Sequence, residues 1–430
     1  MDVALKEGEV LWKSCSPTSI IRKGNDIILE IPFQKQKVSA DIVPDKEVKR
    51  KKYFLKIRAY GKKILRVGIG FGSMVMKDSP MLEISASLSV SPLITEITGE
   101  EWLVKDSDGA IRASVNRKPL VTDHWSDLIG APEETLQLSF FPDEGKEISL
   151  SAYDQFFPKR QDAFPLAFIE RNGQCNRITM SFASKPGEIF AGTGERFSKM
   201  DLSGNYFEMK NEDAHGVNSR RTYKCVPFFI SDRMYGVFLH TSAYSVFSLA
   251  HHSSRSAQIL TEEPQLDIFL IGGDTPEEIL YNYRSLTGFP KMLPLWSFGT
   301  WMSRMTYFSA DEVILVCDRL RREDYPCDVI HLDTGWFRKD WICEWKFSPE
   351  RFPDPGKLIS RLTQNGFKVS LWQMPYLSEK AEQYDEALKN RYIAVPLKSD
   401  RHSDTVFSNR DYDGTDRKST RLNSSHGKLS

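Results

Sequence analysis

The hydrophobic period of this chain changes once, near Thr287-Gly288-Phe289-Pro290, and that change constrains the fold most. Up to about residue 290, apolar residues alternate or run over strand lengths, as at 27–31, 53–58 and 64–69. Turn signals separate the runs: Lys23-Gly24-Asn25-Asp26, Asp106-Ser107-Asp108-Gly109 and Asp143-Glu144-Gly145. Many short strands, polar turns and few amphipathic helices predict a β-sandwich over 1–290. Past Pro290 the pattern turns helical. Ser309-Ala310-Asp311-Glu312 opens a helix whose apolar positions Val313, Val316, Cys317 and Leu320 recur at helical spacing. Asp354-Pro355-Gly356-Lys357 opens a second, which Asn365-Gly366 stops. Strands are expected at 296–302, 326–336 and 367–376. Strand–helix–strand–helix–strand with short links predicts parallel βαβ units, so 291–400 reads as the first strands of a (β/α)₈ barrel. Residues 401–430 are polar and aperiodic, and a disordered or artefactual tail is expected there. The fold class is therefore multidomain, β followed by α/β.

Composition removes several function classes. The formal net charge is zero and the pI about 7.1, which argues against nucleic acid and membrane surfaces as partners, since both call for a basic field. The six cysteines are far apart with no CxxC, so reduced thiols in a cytoplasmic protein are expected. The first residues lack the basic and apolar regions of a signal peptide, and no run approaches the roughly 18 apolar residues of a membrane span.

Within the second region, Cys327-Asp328-Val329-Ile330-His331-Leu332-Asp333-Thr334-Gly335-Trp336-Phe337 begins as a buried strand and ends in a carboxylate, a glycine and two aromatics. Side chains at the C-terminal end of a barrel strand line the active site. An Asp beside Trp and Phe there suits a sugar: the carboxylate accepts hydrogen bonds from hydroxyls, and rings cover the apolar face of a pyranose. The plain alternative is a strand-end Asp that starts a turn, with the aromatics in the core. Elsewhere, Ala191-Gly192-Thr193-Gly194-Glu195-Arg196-Phe197 lacks the third glycine and the helix of a nucleotide site. A tight backbone path and a Glu195–Arg196 ion pair are expected instead. Residues 207–223 read as a long loop. His251-His252 reads as surface; no metal and no cofactor are expected.

Six motifs occur in order: Gly192-x-Gly194-Glu195-Arg196-Phe197, Tyr223-Lys224-x-x-Pro227-Phe228, Pro294-x-Trp296-Ser297-Phe298-Gly299, His331-x-Asp333, Phe352-Pro353-Asp354-Pro355 and Leu371-Trp372-x-x-Pro375-Tyr376. Together they resemble glycoside hydrolase family 31, and within it the α-xylosidases and their α-glucosidase relatives. The resemblance implies a galactose-mutarotase-like sandwich followed by a TIM barrel. It implies that Asp333 binds sugar hydroxyls in the −1 subsite, with Trp372 lining the same pocket; Trp336 joins the substrate-binding set from the strand-end reading above. Thr334 and Gly335 sit where α-xylosidases carry a Cys-Phe pair that fills the space of a hydroxymethyl group, so Gly335 is expected to leave room for C6 of a hexose. Thr306 falls where those enzymes place a pocket phenylalanine, with Met305 and Tyr307 as neighbouring substitutes. Cys343 matches a family cysteine in the aromatic loop.

The reaction so implied is retaining hydrolysis of α-xylosides or α-glucosides of oligosaccharides, and a homo-oligomer is compatible with it. A retaining site needs two carboxylates about 5–5.5 Å apart. In the family these follow the fourth and sixth barrel strands, so this chain is expected to be a fragment that stops before both and is inactive alone. Asp333 and Asp340 share one strand–loop connection and do not approach an anomeric carbon from opposite sides. The alternative function is a non-catalytic carbohydrate-binding or scaffold protein. Three barrel strands leave open edges and bare helix faces, so self-association is expected of the isolated chain.

Overall fold

The structure, a computed structural model, describes residues 5–35, 49–71, 76–117, 135–150, 164–212, 221–339, 342–374 and 376–392, and the backbone of two short strands, Ser408–Asn409 and Asp416–Lys418. Contacts divide the chain into two units, residues 1–289 and 290–429.

Among the described residues, the first unit is built from two antiparallel sheets, one of fifteen strands and one of five. Its centre holds the long strands Asp26–Lys35, Arg50–Tyr60, Ile64–Gly70 and Gln265–Gly272. The five-stranded sheet shows why the layers close. In Glu101–Asp106, Trp102 and Val104 are buried while Glu101 is exposed, as the two-residue period of a half-buried strand requires. Trp102, Val104, Val115, Leu138 and Phe140 from this sheet share one apolar core with Leu55, Ile57, Val67, Ile69, Ile268 and Leu270 from the larger sheet. The helix Pro276–Thr287 follows, with the Thr275 hydroxyl accepting from the Glu278 amide at 3.3 Å. It packs Ile279 and Leu286 against Phe228, Phe238 and Ile271.

Two local expectations change here. The stretch expected as loop from 207 begins as a strand, Asn205–Met209, paired with Ser245–Leu249; residues 213–220 lie outside the described residues. The pairing partner is 40 residues away, so local composition does not reveal it. Arg196 does not pair with Glu195 among the described residues. Its guanidinium donates to the Glu208 carbonyl at 2.7 Å and the Thr193 carbonyl at 3.2 Å, and lies over the Phe207 ring. Glu195 and Arg196 are neighbours at a strand end, and successive strand side chains point to opposite faces. The tight path is real. Gly192 and Gly194 take φ of 121° and 92° at a register shift, and a Cβ on Gly194 would stand 2.2 Å from the Lys224 carbonyl oxygen.

The second unit contains a three-stranded parallel sheet ordered Trp301–Ser303, Val329–Leu332, Lys368–Leu371. The helices Ala310–Arg322 and Pro355–Gln364 connect them, the right elements for two βαβ units. Ser309 and Asp354 cap these helices, accepting from the Glu312 and Lys357 amides at 3.1 and 2.9 Å. Val313, Cys317, Leu358 and Leu362 pack with Ile330 and Leu332. The strands are shorter than expected. Residues 295–298 form a 3₁₀ turn, in which the Ser297 hydroxyl donates to the Pro294 carbonyl at 2.7 Å, and pairing starts only at Trp301. The middle strand stops at Leu332 because Asp333 caps a second 3₁₀ turn, Thr334–Trp336. Most of 401–430 lies outside the described residues, and the strand Asp416–Lys418 pairs with Tyr376–Ser378.

Replacing Phe140, fully buried between the sheets, by Ala should cost the first unit about 3–5 kcal/mol, read as a lower urea midpoint of its transition. Burial raises the Asp26 carboxyl, but the ion pairs with Arg58 at 2.7 Å and Lys56 at 2.6 Å outweigh that and hold it below the usual carboxylate range. A depressed folded value contributes stability above the unfolded value that is lost as pH falls through the folded one. The wild type should therefore lose more stability than Asp26→Asn on acidification below about pH 4, measured by urea titration at each pH.

Candidate functional site

The parallel ladder fixes where the polar side chains come together. Ser303 pairs with His331, and His331 with Ser370, so these three residues form one row across the sheet near its C-terminal end. The His331 Nδ1 and Ser370 Oγ are 3.0 Å apart. Asp333 follows two residues later, and its Oδ2 lies 3.9 Å from His331 Nε2. The other Asp333 oxygen accepts from the Thr334 amide at 2.7 Å. One carboxylate thus closes the turn and keeps a partly exposed oxygen, since its side chain is 21% exposed.

Thr334, Gly335 and Trp336 are buried in the turn that Asp333 caps. Trp336 is 4% exposed, with its ring 4.2 Å from Phe337 and 4.9 Å from Phe347, and its indole N–H donates to the Trp372 carbonyl at 2.8 Å. The expectation that Trp336 offers a ring face to a sugar gives way to the plain reading: Trp336 and Phe337 are core. Their burial supplies the apolar surface that pins the turn. Trp372 is half-buried. Its amide donates to the Leu332 carbonyl at 2.8 Å, so the ladder holds it beside Asp333 at the adjacent strand end.

Gly335 does not open a space. A Cβ there would stand 1.9 Å from Thr306 Oγ1 and 2.8 Å from the Tyr307 carbonyl oxygen. Thr306 fills the volume that the missing side chain vacates, and this corrects the expected room for C6. Thr306 is buried, and neither its hydroxyl nor that of Tyr307 has a hydrogen-bond partner among the described residues. Burial also pushes the Tyr307 phenol up. Met305, the other expected substitute, is exposed. The sequence thus brings Asp333, Thr334, Gly335, Thr306 and Trp372 to one end of the sheet, with Trp336 behind them.

Residues not anticipated support this end. Arg351 donates to the Gly335 carbonyl at 3.1 Å and covers Phe308. Arg338 grips the buried Glu344 through two hydrogen bonds of 2.9 and 2.6 Å and reaches Glu382 at 2.7 Å. Lys346 also pairs with Glu382; Lys346 and then Arg338 hold the Glu382 carboxyl below its usual range. His331 was legible through its i, i+2 spacing to Asp333. The arginine partners lie on loops, where no periodicity marks them. Cys343 is fully buried, and Asp340 and Trp341 lie outside the described residues. His251 and His252 are exposed, with His251 Nδ1 2.7 Å from the Gly204 carbonyl oxygen.

Because a Cβ at 335 collides with Thr306, Gly335→Ala should destabilise the second unit by about 1–3 kcal/mol. Thr306→Ala removes the nearest atom and should recover part of that loss. A double-mutant cycle in chemical denaturation checks this, and additive effects would contradict the shared volume.

Comparison with known proteins places both units. A family model for the Glycosyl hydrolase 31 N-terminal galactose mutarotase-like domain matches residues 55–247, and one for the Glycosyl hydrolases family 31 TIM-barrel domain matches 290–418. An α-xylosidase of Lactiplantibacillus pentosus is 35% identical over 208 residues, which are 48% of this chain and 27% of that protein. Among solved structures, a Flavobacterium johnsoniae family 31 dextranase in complex with isomaltotriose aligns with a TM-score of 0.70 at 19% identity, over 95% of this chain and 44% of that one. A family 31 α-xylosidase from a soil metagenome, complexed with xylose, aligns with a TM-score of 0.67 at 18% identity, over 94% and 53%. The matched region is about a quarter of the length of the curated relative.

Proposed function

This chain belongs to glycoside hydrolase family 31, and from that premise we propose that it forms the N-terminal sandwich and the first barrel strands of a retaining α-glycosidase acting on α-xylosides or α-glucosides. The observation that carries the reading is Asp333. It is a half-buried carboxylate at the C-terminal end of the middle strand of a parallel sheet, with one oxygen held by the turn and the other partly exposed. That end of a barrel sheet is where substrates bind. In this reading Asp333 accepts hydrogen bonds from sugar hydroxyls, Trp372 sets the pocket wall, and Thr334, Gly335, Trp336 and Thr306 shape the turn around it. A carboxylate hydrogen bond to a hydroxyl that strengthens in the transition state contributes to the rate as well as to affinity.

Asp333 is not the nucleophile. A retaining displacement needs a second carboxylate about 5–5.5 Å away across the anomeric carbon, and the role assigned to Asp333 here is hydroxyl binding. We take both reacting carboxylates to lie on later barrel strands and this chain to be inactive without them. The domain reading that goes with it is a sandwich over 1–290 and a barrel from 291, with the family match running on to 418. Six free cysteines favour a reducing, cytoplasmic setting. No helix among the described residues is long and apolar enough to cross a membrane.

The test uses p-nitrophenyl α-xyloside and α-glucoside. The 430-residue chain should release no nitrophenolate, and fusion to the remaining barrel of a family member should restore release. In the fusion, Asp333→Asn should lower kcat/KM by on the order of 10²-fold or more without changing its melting temperature. Turnover by the 430-residue chain alone would overthrow the assignment of the reacting carboxylates.

A further inference from the structure

We infer that Ser79 in the first unit is an activated nucleophile that takes acyl groups from carboxylic esters, a reactivity separate from glycoside hydrolysis. Ser79 Oγ lies 2.7 Å from His240 Nε2, and His240 Nδ1 lies 2.9 Å from Asp267 Oδ2. A hydroxyl within hydrogen-bond reach of a base, with the base oriented by a third group, is the geometric signature of nucleophilic catalysis on unrelated folds. His240 and Asp267 are 8% and 5% exposed, while Ser79 is half-buried and so reachable from solvent.

The tautomer follows from the partners. Asp267 also receives both arms of Arg66, with Nη2 at 2.7 Å and Nε at 3.0 Å, so it faces His240 as an acceptor. His240 then carries its proton on Nδ1, and Nε2 is left to accept from the Ser79 hydroxyl. Arg66, itself fully buried, has a second role. Its Nη1 holds Asp78 at 2.6 Å and its Nη2 the Lys77 carbonyl at 3.2 Å, so the guanidinium that fixes the acid also fixes the segment that presents Ser79. Arg66 and Asp267 are positioning residues. The Met81 amide donates to Ser79 Oγ at 3.2 Å, which fixes the rotamer and leaves one lone pair for attack.

The step balances without a further reagent. Ser79 Oγ attacks the ester carbonyl carbon, its proton passes to His240 Nε2, and the bond to the alcohol oxygen breaks. With a p-nitrophenyl ester the leaving group departs as the phenolate, the imidazolium returns its proton to solvent, and acyl-Ser79 remains. Attack by water on the acyl carbon, with its proton taken by His240, restores the hydroxyl and releases the carboxylic acid.

The test treats the full chain with a fluorophosphonate, which expels fluoride and leaves a stable phosphonyl-serine, and with p-nitrophenyl acetate. Peptide mass spectrometry reads the rate at each serine. Ser87 serves as the internal reference: it is exposed on the same segment and bonds Ser85, not a histidine, among the described residues. Ser79 should label on the order of 10²-fold faster than Ser87, the range that general-base assistance supplies. Ser79→Ala should remove the label. His240→Asn, which keeps a donor for Asp267 but no base, should bring the rate at Ser79 down to that of Ser87. Equal labelling of Ser79 and Ser87 in the unaltered chain overturns the inference, as does a folded His240→Asn that labels at the original rate. Should His240→Asn fail to melt cooperatively, the comparison within the unaltered chain decides alone.

Discussion

The parallel pairing of Val329–Leu332 with a strand on each side is the constraint on which the second unit depends. Hydrogen bonding on both edges fixes its register, and a slip of one residue would turn every side chain to the opposite face. Asp333, the Thr334–Trp336 turn and Trp372 occupy their places because the ladder ends where it does. The helices confirm the register by packing Val313, Cys317, Leu358 and Leu362 over Ile330 and Leu332. Among the described residues, each outer strand is paired on one side only, and exposed apolar side chains such as Leu295, Phe298 and Met305 accompany that sheet. Such edges and faces are covered in a closed barrel.

The first unit rests on a different physics. Its core joins two sheets through alternating apolar residues, and a group of charged and polar side chains that answer one another is buried within it. Arg66 illustrates the rule. A guanidinium with no solvent exposure is tolerable only with its donors engaged, and Asp267, Asp78 and the Lys77 carbonyl engage them. The same need for satisfaction brings His240 and Ser79 into line. Breaking one member strands the others in a low-dielectric setting.

The candidate sugar site shows how a turn assigns roles. One Asp333 oxygen is tied to the turn amide, which fixes the direction in which the carboxylate presents its remaining acceptor sites. Thr306 and Gly335 share one volume, so the size of either residue has meaning only with the other. A reading that takes position 335 alone finds room where the folded chain has a threonine. The aromatics beside Asp333 serve the core, and Arg351 and Arg338 hold the surrounding loops by carbonyl and carboxylate contacts that follow no period.

The sequence by itself determined the change from strand-rich to alternating architecture, the helix starts at Ser309 and Asp354, the need for glycine at 192 and 194, and the strand-end place of Asp333. These follow from local periodicity, capping chemistry and backbone sterics, which act over a few residues. Only the tertiary structure decided that 205–209 is a strand, that Arg196 reaches the Glu208 carbonyl, that Trp336 is core, and that Thr306 occupies the space above Gly335. It alone placed Ser79, His240 and Asp267 together, from positions as much as 188 residues apart. Each of these depends on partners remote in sequence, and contact between remote segments is set by how whole sheets pack, which no local pattern encodes.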